Sequence, residues 1–351
     1  MLASITHILP LTTVVRKRLL PVEGRVLAKL GQKVTPTDVV ADATLGRKHL
    51  IIDIAELLRI PSQNAAAYTK IKKGQKISKD DVIAETTGLF AREAKSPVDG
   101  RVVAMGGGKV ILETGGSTFE LVAGLPGVVS DVIADRGVVI RATGAVIQGL
   151  WGNGRLETGL LVSLMENLDD VFDANRLDVS IRGSIILGGY VENPAVLKNA
   201  SDLPVRGLIL SSMSPALLSL ASQAAFPIIV IDGFGRRPMS STAYKLLSTN
   251  IKREAALNAE IYDRLTGARP EVFIPLPASQ EPAEPREVET FAPGQTVRVI
   301  NMTRPSQLGT LVQLRINPVN LPNGLKAKVA EIRLENGDQI LVPLTNLEVL
   351  G

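Results

Sequence analysis

The chain has 351 residues, enough for two or three domains that each bury a core, with 45% hydrophobic and 21% charged residues. It has no cysteine and only two histidines, His7 and His49; disulfides, thiolate metal sites and cysteine nucleophiles are excluded, and a classical zinc site or histidine-dependent triad is argued against. The net charge of +4 is uneven: residues 1–124 hold 18 Lys/Arg against 12 Asp/Glu, with a knot at Lys70, Lys72, Lys73 and Lys76.

At the N-terminus, apolar residues precede Arg16-Lys17-Arg18, the opposite order to a signal peptide. No apolar run approaches the about 18 residues of a membrane span, so the expectation is a cytoplasmic protein without membrane insertion.

Internal repetition is the strongest signal. The segment Pro21–Val34 aligns without gaps to Pro97–Val110 and matches at nine of 14 positions. A second echo links Lys29–Ala41 to Lys72–Ala84 through a shared Gly-Gln-Lys and a downstream Asp-Val-x-Ala. The pattern Pro-x-x-Gly-x-Val-x-Ala alternates at period 2, which predicts a strand, a glycine corner and a short strand with one buried face. One such hairpin cannot bury its face alone, so the copies should pack together. Between them, Asp53–Tyr68 is predicted helical, with Ile54, Leu57 and Leu58 on one face and a break at Pro61.

These half-motifs, with the phrase Lys72-Lys73-Gly74-Gln75-Lys76, resemble the biotinyl/lipoyl-type barrel-sandwich hybrid over roughly residues 20–125. In carrier members of that family the modified lysine sits at a hairpin tip flanked by Met or by Asp/Ala. Lys48 lies near the corresponding place, but Gly46-Arg47-Lys48-His49 has neither flank. The resemblance therefore implies a non-carrier module, and no cofactor is expected.

From Val179 the texture changes to β-α-β. Ser184–Leu187, Gly207–Leu210 and Ile228–Ile231 are continuous apolar runs of the kind buried on both faces of a parallel sheet. Helices are predicted from Asn193-Pro194 and Ser214-Pro215, each a cap followed by proline, and a longer one from Ser240/Ser241 toward Leu265. Pro275–Pro293 follows as an acidic, proline-rich linker. In the last sixty residues, Asn336-Gly337 marks a hairpin. Gly294-Gln295-Thr296-Val297-Arg298-Val299-Ile300, followed by Gly309-Thr310-Leu311-Val312, resembles the KOW motif of SH3-like barrels.

The fold expected is thus multidomain α+β. It comprises a β-rich hybrid-like module over 1–178 with a helical insertion near 45–70, a small Rossmann-like α/β domain over 179–277, a linker over 278–290, and a KOW/SH3-like barrel over 291–351.

Open parallel sheets bind ligands at the carboxyl ends of their strands. Here Gly188 and Gly189, Ser211 and Ser212, and the loop Asp232, Gly233, Gly235, Arg236, Arg237 should converge. Ser240 opens a helix whose N-terminus, with the two arginines, suits a small anion. Ordinary turn and capping roles compete with that reading, because neither GxGxxG nor GxxxxGK[ST] is present. Met105-Gly106-Gly107-Gly108-Lys109 reads as a β-turn, and the acidic cluster Glu166, Asp169, Asp170, Asp173 as a solvated turn or cap. No catalytic or metal-binding residue is assigned.

Candidate partner-binding residues are Lys70, Lys72, Lys73, Lys76, Trp151, Arg298 and Arg304. The leading expectation is a non-enzymatic binding or scaffold protein with protein partners, associated through its family resemblances with transcription or translation machinery. Nucleic acid is a further possible partner, through the basic N-terminal region or the barrel. The alternative is an α/β protein that binds a small anion or nucleotide, as sensor or enzyme, with regulatory β domains.

Overall fold

The computed structural model describes residues 2–46, 48–88, 91–263, 267–286, 289–300, 307–315 and 317–351. The chain is β-rich, with 46% strand and 14% helix, and its strands form several sheets with few helices between them.

An 11-stranded sheet forms the backbone of the molecule. The two longest strands, Ile8–Leu19 and Gly137–Gln148, run antiparallel along almost their full length. Farther along the same sheet Leu156–Ser163, Ser184–Val191, Gly207–Met213 and Ile228–Val230 lie side by side and parallel. The sequence division at 178/179 therefore falls inside one hydrogen-bonded sheet. Residues of Ser184–Val191 and Gly207–Met213 are all buried, as in strands covered on both faces of a sheet.

Helix Pro194–Asp202 starts where predicted, with the Asn193 side chain capping Ala195 N and proline at the first position. The expected long helix after Ser240 is shorter than the sequence suggested. It spans Ser241–Ser248, and Asn250 Nδ2 donates to the Leu246 carbonyl as the chain turns away. Glu254–Asn258 is a strand, wedged antiparallel between Leu156–Ser163 and Glu271–Pro275. Ala255, Ala256 and Leu257 are buried there, so small apolar residues that also suit a helix fill a sheet interior instead.

The predicted helical insertion is two short pieces, Ile54–Leu58 and Ala65–Tyr68, separated at Pro61. Asp53 caps the first, and its apolar face packs into a cluster with Ile71, Ile83, Val102 and Leu112.

One turn recurs three times. In Lys29–Gln32, Lys72–Gln75 and Ala292–Gln295, the glutamine side-chain oxygen accepts from the first residue's N–H at 2.9, 3.0 and 2.8 Å. The intervening Gly31, Gly74 and Gly294 have φ of 77°, 87° and 91°, the left-handed region that favours glycine. Each glycine N–H donates to a partner-strand carbonyl (Val129, Val102, Leu311), whose own N–H returns a bond to the glutamine carbonyl. In all three cases a glycine of the partner strand (Gly127, Gly100, Gly309) is paired with Val34, Ile77 or Val297. A register shift follows two residues later each time. The sequence echo between residues 29 and 84 thus has a third member in the C-terminal sheet.

That C-terminal sheet has seven strands, and it includes the chain's first strand. Leu2–Thr6 lies parallel to Leu347–Leu350, so the two ends of the chain are adjacent. The acidic linker is extended but tied down. Thr12 and Thr13 hydroxyls donate to the Ala283 and Pro282 carbonyls, both at 2.8 Å, and Arg141 pairs with Glu281 and Glu284.

Candidate functional site at the junction of the parallel strands and the C-terminal sheet

The loop after Ile228–Val230 is built around a buried carboxylate. Asp232 N donates to the Ser211 carbonyl at 2.8 Å, extending the sheet by one bond. Its Oδ2 accepts from Ser240 N at 2.8 Å, closing the loop Asp232–Ser240 just before helix Ser241–Ser248. Ser212 Oγ donates to the Arg237 carbonyl at 2.7 Å and accepts from Arg237 N at 3.0 Å, while Arg237 Nε donates to the Phe234 carbonyl. Ser212 and Arg237 therefore hold the loop in shape.

The C-terminal sheet inserts Arg298 into this loop. Arg298 lies on strand Thr296–Val299, 1% exposed, with Nη2 at 2.9 Å from Asp232 Oδ1. Nη1 lies 3.4 Å from Glu348 Oε2, its antiparallel partner in register. Glu348 Oε1 in turn faces Arg269 Nη1 at 3.3 Å and accepts from the Thr6 hydroxyl. Arg269 also donates to Thr6 Oγ1 at 2.9 Å and stacks its guanidinium 5.1 Å from the Tyr262 ring centre. Signs alternate along Asp232, Arg298, Glu348 and Arg269, so four charges share a buried junction without net charge. Burial pushes the Asp232 carboxyl above its ordinary range, against the opposing pull of Arg298 and the Ser240 N–H.

Beside the loop lies a cavity of about 260 Å³, lined by Asp232, Ser240, Ser241, Arg298, Glu335 and Asn336 among others. Ser241 Oγ donates to Glu335 Oε1 at 3.0 Å, so the Asn336-Gly337 hairpin closes onto the helix start. Among the described residues, several buried groups here have no hydrogen-bond partner: Arg298 Nε and Nη2, Ser240 Oγ and, on the neighbouring strand, Ser211 Oγ. The 2.9 Å approach of Nη2 to Asp232 is thus an ion pair whose angle does not make a hydrogen bond.

Comparison with protein-family models and with curated proteins finds no match.

Asp232, Ser240 and Arg298 come together, although the sequence set Arg298 apart as a partner-binding residue; its burial corrects that reading. Gly188 and Gly189 do not line the cavity. A Cβ on Gly188 would sit 2.5 Å from the Phe172 ring, and one on Gly189 would sit 2.0 Å from the Asp170 carbonyl. The segment Asp170–Phe172 pairs beside them, with Tyr190 N donating to Asp170 O and Phe172 N to Tyr190 O, both at 2.8 Å. These glycines admit the neighbouring segment Asp170–Phe172.

Gly233 shapes the loop at φ 99°, Gly235 at φ 81°, and Arg236 is exposed. Trp151 packs edge-on against Phe234, ring centres 6.1 Å apart. Lys70 pairs with Glu85, while Lys72, Lys73 and Lys76 are exposed on the second of the three turns. Arg304 lies outside the described residues.

Asp170 accepts from Arg176 Nη1 at 2.6 Å and from Glu166 N at 3.1 Å. Burial works against ionisation there, yet these bonds hold the carboxyl below its ordinary value. Asp173 caps Ala174–Arg176. The acidic cluster thus serves local folding. Gly107 and Gly108, at φ 57° and 79°, form the hairpin turn expected of the Gly-rich segment, and Lys109 pairs with Asp53.

Sequence reasoning missed Glu348, Arg269, Glu335 and Asn336. The available signal was a charge in the middle of each of two apolar strands, Arg298 between Val297 and Val299 and Glu348 between Leu347 and Val349.

Proposed function

We propose that this protein is a non-enzymatic binding or scaffold protein, and that it docks a protein partner with an acidic face on the lysine-bearing turn Lys70–Lys76. In this reading the N-terminal hairpins form a barrel-sandwich-hybrid-type module, the parallel strands a small Rossmann-like unit, and the C-terminal sheet an SH3-like barrel of the KOW kind.

The observation that carries the reading is the difference among the three equivalent turns. Their common geometry needs only the glycine and the glutamine side chain. The first turn carries Leu30, 69% exposed, where the second has Lys73 and the third Pro293. Where the first has Lys29 and Lys33, both exposed, the second has Lys72 and Lys76 and adds Lys73, and Lys79 follows closely. Among the described residues none of Lys72, Lys73, Lys76 and Lys79 has an ion-pair partner. The turn would fold without them, so their charge is available for recognition. The resemblance of both β modules to docking platforms supports partners in transcription or translation machinery.

A nucleic-acid partner is separated by salt. Filter binding with single- and double-stranded RNA and DNA is expected to show no steep fall of affinity with salt concentration. A steep linear slope on a log–log plot would replace the acidic protein with a nucleic acid.

A further inference from the structure

Strand Lys48–Asp53 ends a four-stranded sheet, and among the described residues no strand pairs with its outer edge. It runs antiparallel to Lys109–Thr114 in unbroken register and contains no proline, whereas the next pair in the sheet has a register shift. Ile54 N donates to the Gly108 carbonyl at 2.9 Å, which sets the phase of the ladder. Lys48, Leu50 and Ile52 therefore turn N–H and C=O inward, while His49, Ile51 and Asp53 turn theirs to the free edge. A regular edge without bulge or proline is a template for another strand.

Side chains alternate in the same way. Ile52, opposite Val110, faces the core, whereas Ile51, 61% exposed, and His49 face away from it. On that outer face Ile51 lies opposite Ile111, and Ile111 opposite Ala104, in one apolar row. Charged rows flank it. On one side Arg101 pairs with Glu113, which lies opposite His49; on the other Lys109 pairs with Asp53.

We infer that this edge joins a second copy of the chain by antiparallel strand pairing about a two-fold axis through Ile51. The edge is complementary to itself, as a two-fold contact requires. In the register centred on Ile51, that residue meets its own copy, and His49 meets the second copy's Asp53. The neighbouring registers that keep the outward groups paired set Ile51 against His49 or against Asp53, an apolar side chain against a polar one. In the centred register each opposed pair exchanges two backbone hydrogen bonds. Across the joined sheet the flanking row then reads Arg101, Glu113, His49, followed by Asp53 and Lys109 of the second copy, with opposite charges adjacent. The lysine turn leads into Lys76–Ile77 at the opposite edge of the same sheet, so it stays clear of this contact and the inference does not rest on it.

Sedimentation equilibrium of the full chain tests the pairing. The mass should rise toward that of two chains over about 1–500 µM, the range suited to a small interface. Ile51→Lys, its fold verified by circular dichroism, should weaken association by at least about tenfold, because two ammonium groups meet on the axis. The chain has no cysteine, so Ile51→Cys places one thiol per copy on the axis. Opposed Cα atoms of a hydrogen-bonded pair lie about 5.5 Å apart, within reach of a disulfide. Mild oxidation should link this variant into a dimer much faster than Leu30→Cys, whose residue is equally exposed but lies off the edge. The inference is overturned if the natural chain stays monomeric throughout, if Ile51→Lys associates as tightly as the natural chain, or if the two cysteine variants link at the same rate.

Discussion

Arg298 Nη2 and Asp232 Oδ1 lie 2.9 Å apart, both side chains almost fully buried, and join the C-terminal sheet to the loop that ends the parallel strands. Buried ion pairs are weak contributors to net stability but strict specifiers of geometry, because an unpaired partner is left without solvation. Arg298→Met should therefore cost about 3–5 kcal/mol. The double variant Arg298→Met/Asp232→Asn should recover part of that loss, although Glu348 keeps Arg269. Urea unfolding of the four proteins of this cycle measures the coupling. Additive losses would mean that the pair does not hold the junction.

The three glycine–glutamine turns give a second prediction. Gly31, Gly74 and Gly294 each have open space where a Cβ would project, so alanine meets no steric neighbour. The cost of each substitution is then purely conformational, about 1–2 kcal/mol for forcing a side chain into the left-handed region. Equal losses at the three sites, measured by thermal unfolding, are expected.

Gly188 and Gly189 should behave differently from those turns. Gly188→Ala meets the Phe172 ring, a side chain, whereas Gly189→Ala meets the Asp170 backbone carbonyl. Both should destabilise, by about 1–3 kcal/mol at Gly188 and by more at Gly189. Phe172→Leu should relieve the Gly188→Ala strain and leave that of Gly189→Ala untouched. Rescue of both would show that the strand has room to shift.

Acid sensitivity should arise at His7. Its Nδ1 is buried without a hydrogen-bond partner among the described residues, and burial, reinforced by Arg16, lowers its basicity from the ordinary value of 6.5. The folded state therefore resists a proton that the unfolded chain accepts. The stability in question is fully present above pH 6.5 and is lost as pH falls through the lowered folded value, at no more than about 1.4 kcal/mol per pH unit. Against His7→Gln, the natural chain should lose relative stability as pH drops from 7 toward 5. Parallel unfolding curves across that range would contradict the assignment.

The Asp170–Arg176 pair has the same sign at lower pH. Its folded value is held below the ordinary 3.8, so its stabilisation is present above that value and disappears as pH falls through the lower one. Asp170→Asn should cost about 1–3 kcal/mol near neutrality and progressively less below pH 4. Chemical denaturation at pH 7 and pH 3 is the check.

Much of the strand pattern was legible. Ser184–Leu187 and Gly207–Leu210 announce themselves as apolar runs too short for helices, and Asn193-Pro194 carries its own cap. The strand Glu254–Asn258 was not legible, because Ala255-Ala256-Leu257 has no period that separates helix from strand, and only its neighbours decide. The same holds for the site. Asp232 and Ser240 could be placed from the loop and the helix start, but the direction of Arg298 depends on which sheet covers which loop. Gly188 and Gly189 read equally as ligand-facing or chain-facing until Phe172 is seen against them. The third turn at Gly294-Gln295 was visible as letters; without its partner strand at Gly309, nothing tied it to the other two.

The claim that the lysine turn is a docking surface is tested most directly by quantitative affinity purification from native extract, comparing the natural chain with the triple variant Lys72→Glu, Lys73→Glu, Lys76→Glu. The substituted residues are exposed, so the variant should melt at the same temperature as the natural chain. The account predicts an acidic protein retained in near-equimolar amount by the natural chain, insensitive to nuclease and lost with the variant. Identical recoveries from both chains, with melting unchanged, would contradict it.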